Sequence, residues 1–429
     1  MTDKDLHFEI ATLGECRIPS PMSGVRFVSD GERVLYESSF SRIRGCIDKG
    51  DELPAMELAG PREKIFFDPA KLKCGIVTCG GICPGVNEVI RSLVMSLFYH
   101  YGVKSVFGFP YGFEGLTWRY GHTPLELTPQ SVNFIHGMGG SMLGTSRGPQ
   151  DVSEMVDTLE RMNINILFTI GGDGTLKGAG AIAEEVGRRS LKISVIGIPK
   201  TIDNDISFIH KSFGFETAVT EASKVTNSAH NEATGARNGV GLVKLMGRDS
   251  GFIAAYSVLA DNNVNFCLIP EAPFTLDKFL TALRERLQQR GHAVIVVAEG
   301  AGQDLILTQD ERDASGNVRL GDIGLFLKEA ITRDFRERGI TLNLKYIDPS
   351  YTIRSVPATP HDSSFCLLLG HNAVHAGMTG RTSMVVGFWK NEFTHVPISL
   401  AVSCRKKIDP EGWFWSTVLA STGQPRDML

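Results

Sequence analysis

The 429-residue sequence contains no run of about 18 apolar residues, and its first ten residues, Met1 to Ile10, form no apolar signal core. A membrane span and a secretory leader are both excluded on this reading, so a soluble, cytoplasmic protein is expected. Cysteine is scarce. Eight in so long a chain rule out a disulfide-stapled scaffold, and Cys74 before Gly75-Ile76-Val77 and Cys267 before Leu268-Ile269 read as buried thiols. Cys79 and Cys83 lack the two-residue gap of a redox or zinc pair. Neither sign of charge is in excess: 44 Lys+Arg against 48 Asp+Glu leave a net charge of −4, which gives no basis for a nucleic-acid or other polyanion-binding surface. Three familiar catalytic signatures are missing: there is no G-x-x-x-x-G-K-[ST] loop, no G-x-S-x-G elbow and no H-E-x-x-H pair. His371 and His375 are four apart on a predicted helix but have no third partner in the pattern, so they read as structural and not as metal ligands. No fixed-period repeat or low-complexity tract occurs, and Leu307 to Asp322 reads as a polar, Gly-containing loop.

What is present is alternation. After a polar stretch broken by Pro and Gly over residues 1 to about 70, with short strand-like pieces such as Arg33 to Tyr36, apolar runs alternate with helical patterns. Cys74 to Thr78 precedes a helix near Val86 to Tyr99, and Ile166 to Ile170 precedes one near Leu176 to Val186. Further strands are predicted at Ile193 to Ile198, Val240 to Leu245, Phe266 to Ile269 and Ala293 to Ala298. Leu276, Phe279, Leu280, Leu283 and Leu287 form one helical stripe with Thr275 as N-cap. Strand–helix alternation predicts parallel α/β sheets, and the length predicts more than one compact unit.

In such sheets ligands bind beyond the carboxyl ends of strands, so the residues following each apolar run carry the information. The first run is followed by Gly80-Gly81-Ile82-Cys83-Pro84-Gly85-Val86-Asn87, the second by Gly171-Gly172-Asp173-Gly174-Thr175, each opening a helix. Glycines there let an anion approach backbone N–H groups where the helix dipole is positive, which is the chemistry of phosphate binding. Asp173 would repel that anion unless a divalent cation lay between, so Mg²⁺ is its predicted partner. Either loop alone could be a tight turn; two in succession favour phosphate. The third run ends in Pro199-Lys200-Thr201-Ile202-Asp203-Asn204-Asp205, where two carboxylates beside a lysine and a threonine suit a general base with a phosphate partner, although in isolation the string could be an Asx turn. Met246-Gly247-Arg248-Asp249-Ser250-Gly251 offers an arginine to clamp phosphate, Glu299 an acceptor for sugar hydroxyls, and Lys345 to Arg354 a second set of cations and hydroxyls.

From about Ala59 to Lys390 these blocks, with Gly214-Phe215-Glu216-Thr217, resemble the phosphofructokinase family, in its ATP-using branch related to the pyrophosphate-type enzymes. The resemblance implies transfer of a phosphoryl group from ATP, with Mg²⁺, to the 1-hydroxyl of fructose 6-phosphate in glycolysis. It also implies two parallel-sheet α/β domains facing a cleft: a nucleotide-binding domain over 71–214 and 354–392, and a sugar-phosphate domain with the C-terminal segment over 215–353 and 393–429. Residues 1–70 form an N-terminal extension. The implied assembly is a homotetramer, or a homodimer. By position, Asp203 is the implied base, with Lys200, Thr201 and Asp205 on the same loop, and Arg248 neutralises the transferring group. Gly80, Arg147, Gly172, Asp173, Gly174 and Thr175 hold donor phosphates and metal. Met246, Gly247, Glu299, Tyr351 and Arg354 bind the sugar phosphate, and Lys345 stands where the family often has an arginine reaching from a neighbouring subunit.

The sequence departs from the eubacterial ATP enzymes in three places. Gly239 replaces an intersubunit arginine, with Arg237 nearby; Lys200 replaces a glycine and belongs to the pyrophosphate-type pattern; Tyr351 replaces a histidine. Gly174, by contrast, matches the ATP pattern, since pyrophosphate-using relatives place an aspartate there. The alternatives left open are a pyrophosphate-dependent enzyme, a nucleotide-dependent kinase of the NAD-kinase or diacylglycerol-kinase type sharing the Gly-Gly-Asp-Gly-Thr loop, and a non-catalytic regulatory homologue.

Overall fold

A computed structural model describes residues 6–306, 312 and 318–428, so most of the predicted 307–322 loop lies outside the described residues. The chain divides into two compact units, Met1–Thr201 with Ile206–Gly214 and Val356–Cys404, and Ile202–Asp205 with Phe215–Ser355 and Arg405–Leu429. Each is an α/β unit.

The first unit is built on a nine-stranded sheet. Five strands, Ser105–Phe109, Lys73–Thr78, Ile166–Gly171, Ser194–Pro199 and Met384–Trp389, lie side by side and parallel. They are apolar on both faces because helices cover both. One face packs Leu167, Val195 and Val385 against Leu176, Ala179 and Ile182 of the helix Asp173–Arg188. Val86–Tyr101 packs along Pro360–Met378, which also lies against Ile166–Gly171 and Ser194–Pro199.

The antiparallel edge corrects two sequence expectations. Glu392–Pro397 pairs with Met384–Trp389, so residues 393–404, expected in the domain of 215–353, cluster instead with the first unit. Ala55–Leu58 and Arg33–Leu35 then extend the sheet outward, which makes residues 6–70 part of the unit, with Met56 and Ile65 fully buried. The stretch is stitched in by charge as well. Glu57 accepts from Arg62 Nη2 at 3.1 Å, from His395 Nδ1 at 3.0 Å and from Arg381, while Arg62 and Arg381 each reach Asp30 at 3.0 Å. Burial alone would push the Glu57 pKa up, but these hydrogen bonds and charges hold it down at about 2. This edge carries no periodic signal in the sequence because its two outer strands are three and four residues long, too short to show a period.

The second unit carries a four-stranded parallel sheet in the order Phe266–Leu268, His292–Ala298, Gly239–Leu245, Asn343–Ile347. The period of two sorts its side chains. Val243, Leu245, Val294 and Val296 face the helices Phe215–Thr234 and Phe252–Ala260, whereas Val240, Leu242, Ala293 and Ile295 face Leu276–Arg290 and Ile323–Glu337. Thr275 stands at the predicted N-cap but makes no side-chain cap; its hydroxyl donates to the Met428 carbonyl at 3.2 Å. At Gly239 an added Cβ would lie 2.0 Å from the Ala233 carbonyl oxygen, so the tight helix-to-strand turn itself excludes the arginine that the resemblance alone would place there. No helix among the described residues is long and apolar enough to cross a membrane.

Candidate active site

In the first unit, neighbouring strands deliver three of the predicted motifs to one end of the sheet. Lys73–Thr78, Ile166–Gly171 and Ser194–Pro199 are adjacent and in register, with Pro199 opposite Gly171, so Gly80-Gly81, Gly171–Thr175 and Lys200-Thr201 emerge together. The Cys79 N–H donates to the Ile170 carbonyl and the Lys200 N–H to that of Gly171, at 3.0 and 2.9 Å. Gly80 donates to the Ser146 carbonyl at 2.9 Å, which places the exposed Arg147 beside the same loop. Lys200 is buried, and its ammonium donates to the Gly81 carbonyl.

Gly172 is the N-cap of Asp173–Arg188, so Asp173, Gly174 and Thr175 form the helix's first turn. Thr175 is buried, Gly174 is exposed and its Cβ position meets nothing within 4 Å, and Asp173 keeps its carboxylate at the helix mouth, 2.9 Å from Lys177 Nζ. The donor set fits a nucleotide's phosphates with Mg²⁺: open backbone N–H groups, a lysine, and one carboxylate of the kind this cation takes together with phosphate oxygens.

The second unit gathers the acidic and cationic residues. Asn204 holds a left-handed conformation, φ 54°, which turns the chain between the two carboxylates. Asp205 is buried and paired with Arg405. Asp203 Oδ1 is buried without a hydrogen-bond partner among the described residues, and burial, then the negative charges of Asp205 and Glu299, push its pKa well up. An unpartnered carboxylate oxygen of raised basicity is suited to taking a proton from a bound hydroxyl.

Beyond Gly239–Leu245 comes the turn with Met246, Gly247 and Arg248. At Gly300 a Cβ would sit 1.8 Å from the Arg248 carbonyl oxygen, so glycine there lets the Glu299 turn press against the arginine's backbone. Glu299 is half-buried; burial raises its pKa while Arg248, Lys244 and Arg354 oppose the rise. Arg354 lies over the Tyr351 ring at 4.6 Å, and its Nε is buried with no partner among the described residues. Such an orphaned donor is what an absent anion would satisfy.

Thus Arg248, Glu299, Tyr351 and Arg354, spread over more than a hundred residues of sequence, form one cluster. Lys345 does not join it; it is exposed on the edge strand Asn343–Ile347. Two supports escaped the sequence reading. Lys244 bridges Asp322 and Asp348 at 3.0 and 2.8 Å, and Asp348 in turn accepts from the Ser350 N–H at 3.1 Å, fixing the start of the helix Ser350–Ser355 that carries Tyr351 and Arg354. Arg405 is the other. Asp348 fell inside the Lys345 to Arg354 cluster and could have been flagged, but nothing local marks Arg405. His371 and His375 sit away from these motifs, His375 hydrogen-bonded to the Tyr101 hydroxyl at 2.8 Å.

A family model described as phosphofructokinase matches residues 73–377. The ATP-dependent 6-phosphofructokinase of Borreliella burgdorferi is 49% identical over 442 residues, covering 99% of this chain and 98% of that protein. The protein of the same name from Amycolatopsis methanolica is 47% identical, covering 97% and 95%. Among solved structures, the pyrophosphate-dependent phosphofructokinase from Marinobacter aquaeolei aligns with a TM-score of 0.68 at 18% identity, over 83% of this chain and 93% of that one, a likeness of fold alone. With the phosphate loops, the carboxylate turn and the arginine cluster falling within or beside the matched span, the chain belongs to the phosphofructokinase family.

Proposed function

We infer that this chain phosphorylates fructose 6-phosphate at its 1-hydroxyl with ATP as donor, giving fructose 1,6-bisphosphate, ADP and a proton. The observation that carries the reading is the orphaned pair, Asp203 Oδ1 and Arg354 Nε: one buried acceptor and one buried donor without partners among the described residues, at the positions assigned to the base and to the 6-phosphate. Near-half identity to two proteins named ATP-dependent 6-phosphofructokinase over almost the whole chain supports ATP as the donor.

In this reading the donor phosphates lie on Gly80, Arg147 and Gly172 to Thr175, with Lys200 facing the terminal phosphate. Asp173 would hold Mg²⁺, which supplies neutralising charge to the phosphates when bound. The sugar phosphate lies on Met246, Gly247, Glu299, Tyr351 and Arg354. Asp203 removes the proton of the 1-hydroxyl as its oxygen attacks, Thr201 and Asp205 shape the turn, and Arg248 offsets the charge of the group in flight. Lys345, exposed on its strand, is assigned to the sugar phosphate of a neighbouring copy in a homotetramer or homodimer. The parts of 71–214 and 356–392 outside Ile202–Asp205 form the nucleotide side, and 215–355, with Arg354, the sugar side.

The test is turnover by the purified chain with fructose 6-phosphate and Mg²⁺, comparing ATP with pyrophosphate. ATP is expected to support turnover and pyrophosphate not; the reverse would assign the pyrophosphate reaction, and inactivity with both would favour a regulatory homologue. A second measurement concerns the sugar end. Because the 6-phosphate does not react, its contacts contribute equally to ground and transition states, so Arg354→Ala is expected to raise the KM for fructose 6-phosphate by about 10- to 100-fold. The KM for ATP should stay near its original value. An effect on ATP alone would mean the two ligands are assigned to the wrong residues.

A further inference from the structure

We propose that Arg405 is a positioning residue for the reaction, tying together the turn that carries the base and the turn that carries the phosphoryl arginine. The proposal rests on the phosphoryl-transfer reading above. Its guanidinium pairs with Asp205 through Nη1 and with Asp249 through Nε at 3.3 Å, one carboxylate from each turn. The backbone that follows repeats the connection. The Lys406 N–H donates to the Asp205 carbonyl at 2.8 Å, the Ser250 hydroxyl donates to the Lys406 carbonyl, and the Ile408 N–H donates to Glu271 at 3.0 Å. Glu271 also accepts from the Gly251 N–H, again at 3.0 Å. Residues 405–408 are therefore a staple across Ile202–Asp205 and Met246–Gly251, bonded on both sides by main chain as well as side chain.

The staple also sets the charge around the base. The groups facing Asp203 are Asp205 on its own turn, Asp249 on the Arg248 turn, Glu299 beyond His292–Ala298, and Arg405. Burial and the three carboxylates favour the protonated form, while Arg405 is the cation among them and opposes that rise. Lys406 lies beside Asp205, and burial depresses its pKa to about 8, so its charge contributes least at alkaline pH. A base that must be ionised to accept a proton loses activity as pH falls through its pKa. Removing the Arg405 charge raises that pKa and moves the acid limb of the rate profile to higher pH; removing the Asp249 charge moves it to lower pH.

The experiment compares pH profiles of kcat/KM for fructose 6-phosphate in the full chain and in Arg405→Met, Arg405→Lys and Asp249→Asn. The substrate phosphate titrates identically in all of them, so differences belong to the protein. Arg405→Met is expected to lower kcat at least tenfold and to shift the acid limb up by about one pH unit, from the loss of an adjacent opposite charge. The ATP KM should hold, Arg405→Lys should recover part of the rate, and Asp249→Asn should shift the limb the other way. An acid limb unmoved in both charge-removing variants overturns the proposal, even if kcat falls, because a merely structural staple would lower the rate without moving the limb. Should Arg405→Met melt below the assay temperature, Asp249→Asn decides alone. An unmodified chain inactive on fructose 6-phosphate would defeat the functional reading and this inference with it, whereas an active chain with an unmoved limb defeats only the inference.

Discussion

Replacing Asp203 by alanine is expected to lower kcat by about 10² to 10⁴, the usual contribution of a placed general base, while changing the KM of either substrate only a few-fold. Phosphoryl transfer is mostly positioning and charge stabilisation, yet the attacking hydroxyl must still lose its proton. The structure gives Asp203 the required properties: a buried oxygen without a partner among the described residues, and a pKa raised by burial and by neighbouring carboxylates. Because that oxygen has no hydrogen-bond partner among the described residues, its removal should cost little stability, and melting should be near that of the unmodified protein. Steady-state kinetics at saturating ATP and fructose 6-phosphate, with a melting curve beside them, check this. A variant turning over within a few-fold of the original would remove Asp203 from the mechanism.

Gly174→Asp should cost ATP-dependent kcat/KM about 10² or more, corresponding to the several kcal/mol of a like-charge juxtaposition. Gly174 is the second residue of the helix Asp173–Arg188, exposed, with nothing within 4 Å of its Cβ position. An aspartate there meets no clash, and a negative charge in the first helical turn is favourable to the helix itself. Stability should accordingly be unchanged or slightly higher, which isolates the effect to the donor. The new carboxylate would oppose a nucleotide's α-phosphate, whereas the short donor pyrophosphate has no such group. Lys200→Gly in the same background should not restore ATP use, because Lys200, held on the Gly81 carbonyl, is assigned here to the terminal phosphate of either donor. If Gly174→Asp retained ATP turnover, the electrostatic account of donor choice would be wrong, and Lys200 would have been the better guide.

Much of the scaffold was legible because its signals are local. The strands expected at Cys74 to Thr78, Ile166 to Ile170, Ile193 to Ile198, Val240 to Leu245 and Ala293 to Ala298 occur at Lys73–Thr78, Ile166–Gly171, Ser194–Pro199, Gly239–Leu245 and His292–Ala298. Continuous apolar runs bounded by glycine are what a strand covered on both faces requires. The expected stripe from Leu276 is the helix Leu276–Arg290, ended by Gly291 in the left-handed conformation. The helix expected near Leu176 to Val186 occurs at Asp173–Arg188, opening three residues earlier, so that Asp173 lies in its first turn and not in the loop before it. Illegible were the strands at 33–35 and 55–58, too short for a period, and the pairing that draws Glu392–Pro397 into the first sheet.

The sequence by itself determined the phosphate loops, the carboxylate turn and the family, because each motif is a contiguous string whose chemistry depends on neighbours one to five residues away. Only the tertiary structure decided that Arg405 meets Asp205, 200 positions earlier, that Glu299 lies among Arg248 and Arg354, and that Arg33–Leu35 and Ala55–Leu58 are built into a sheet. Sheet order and helix packing choose such partners, and a guanidinium carries no local mark of the carboxylate it will meet once the chain has closed.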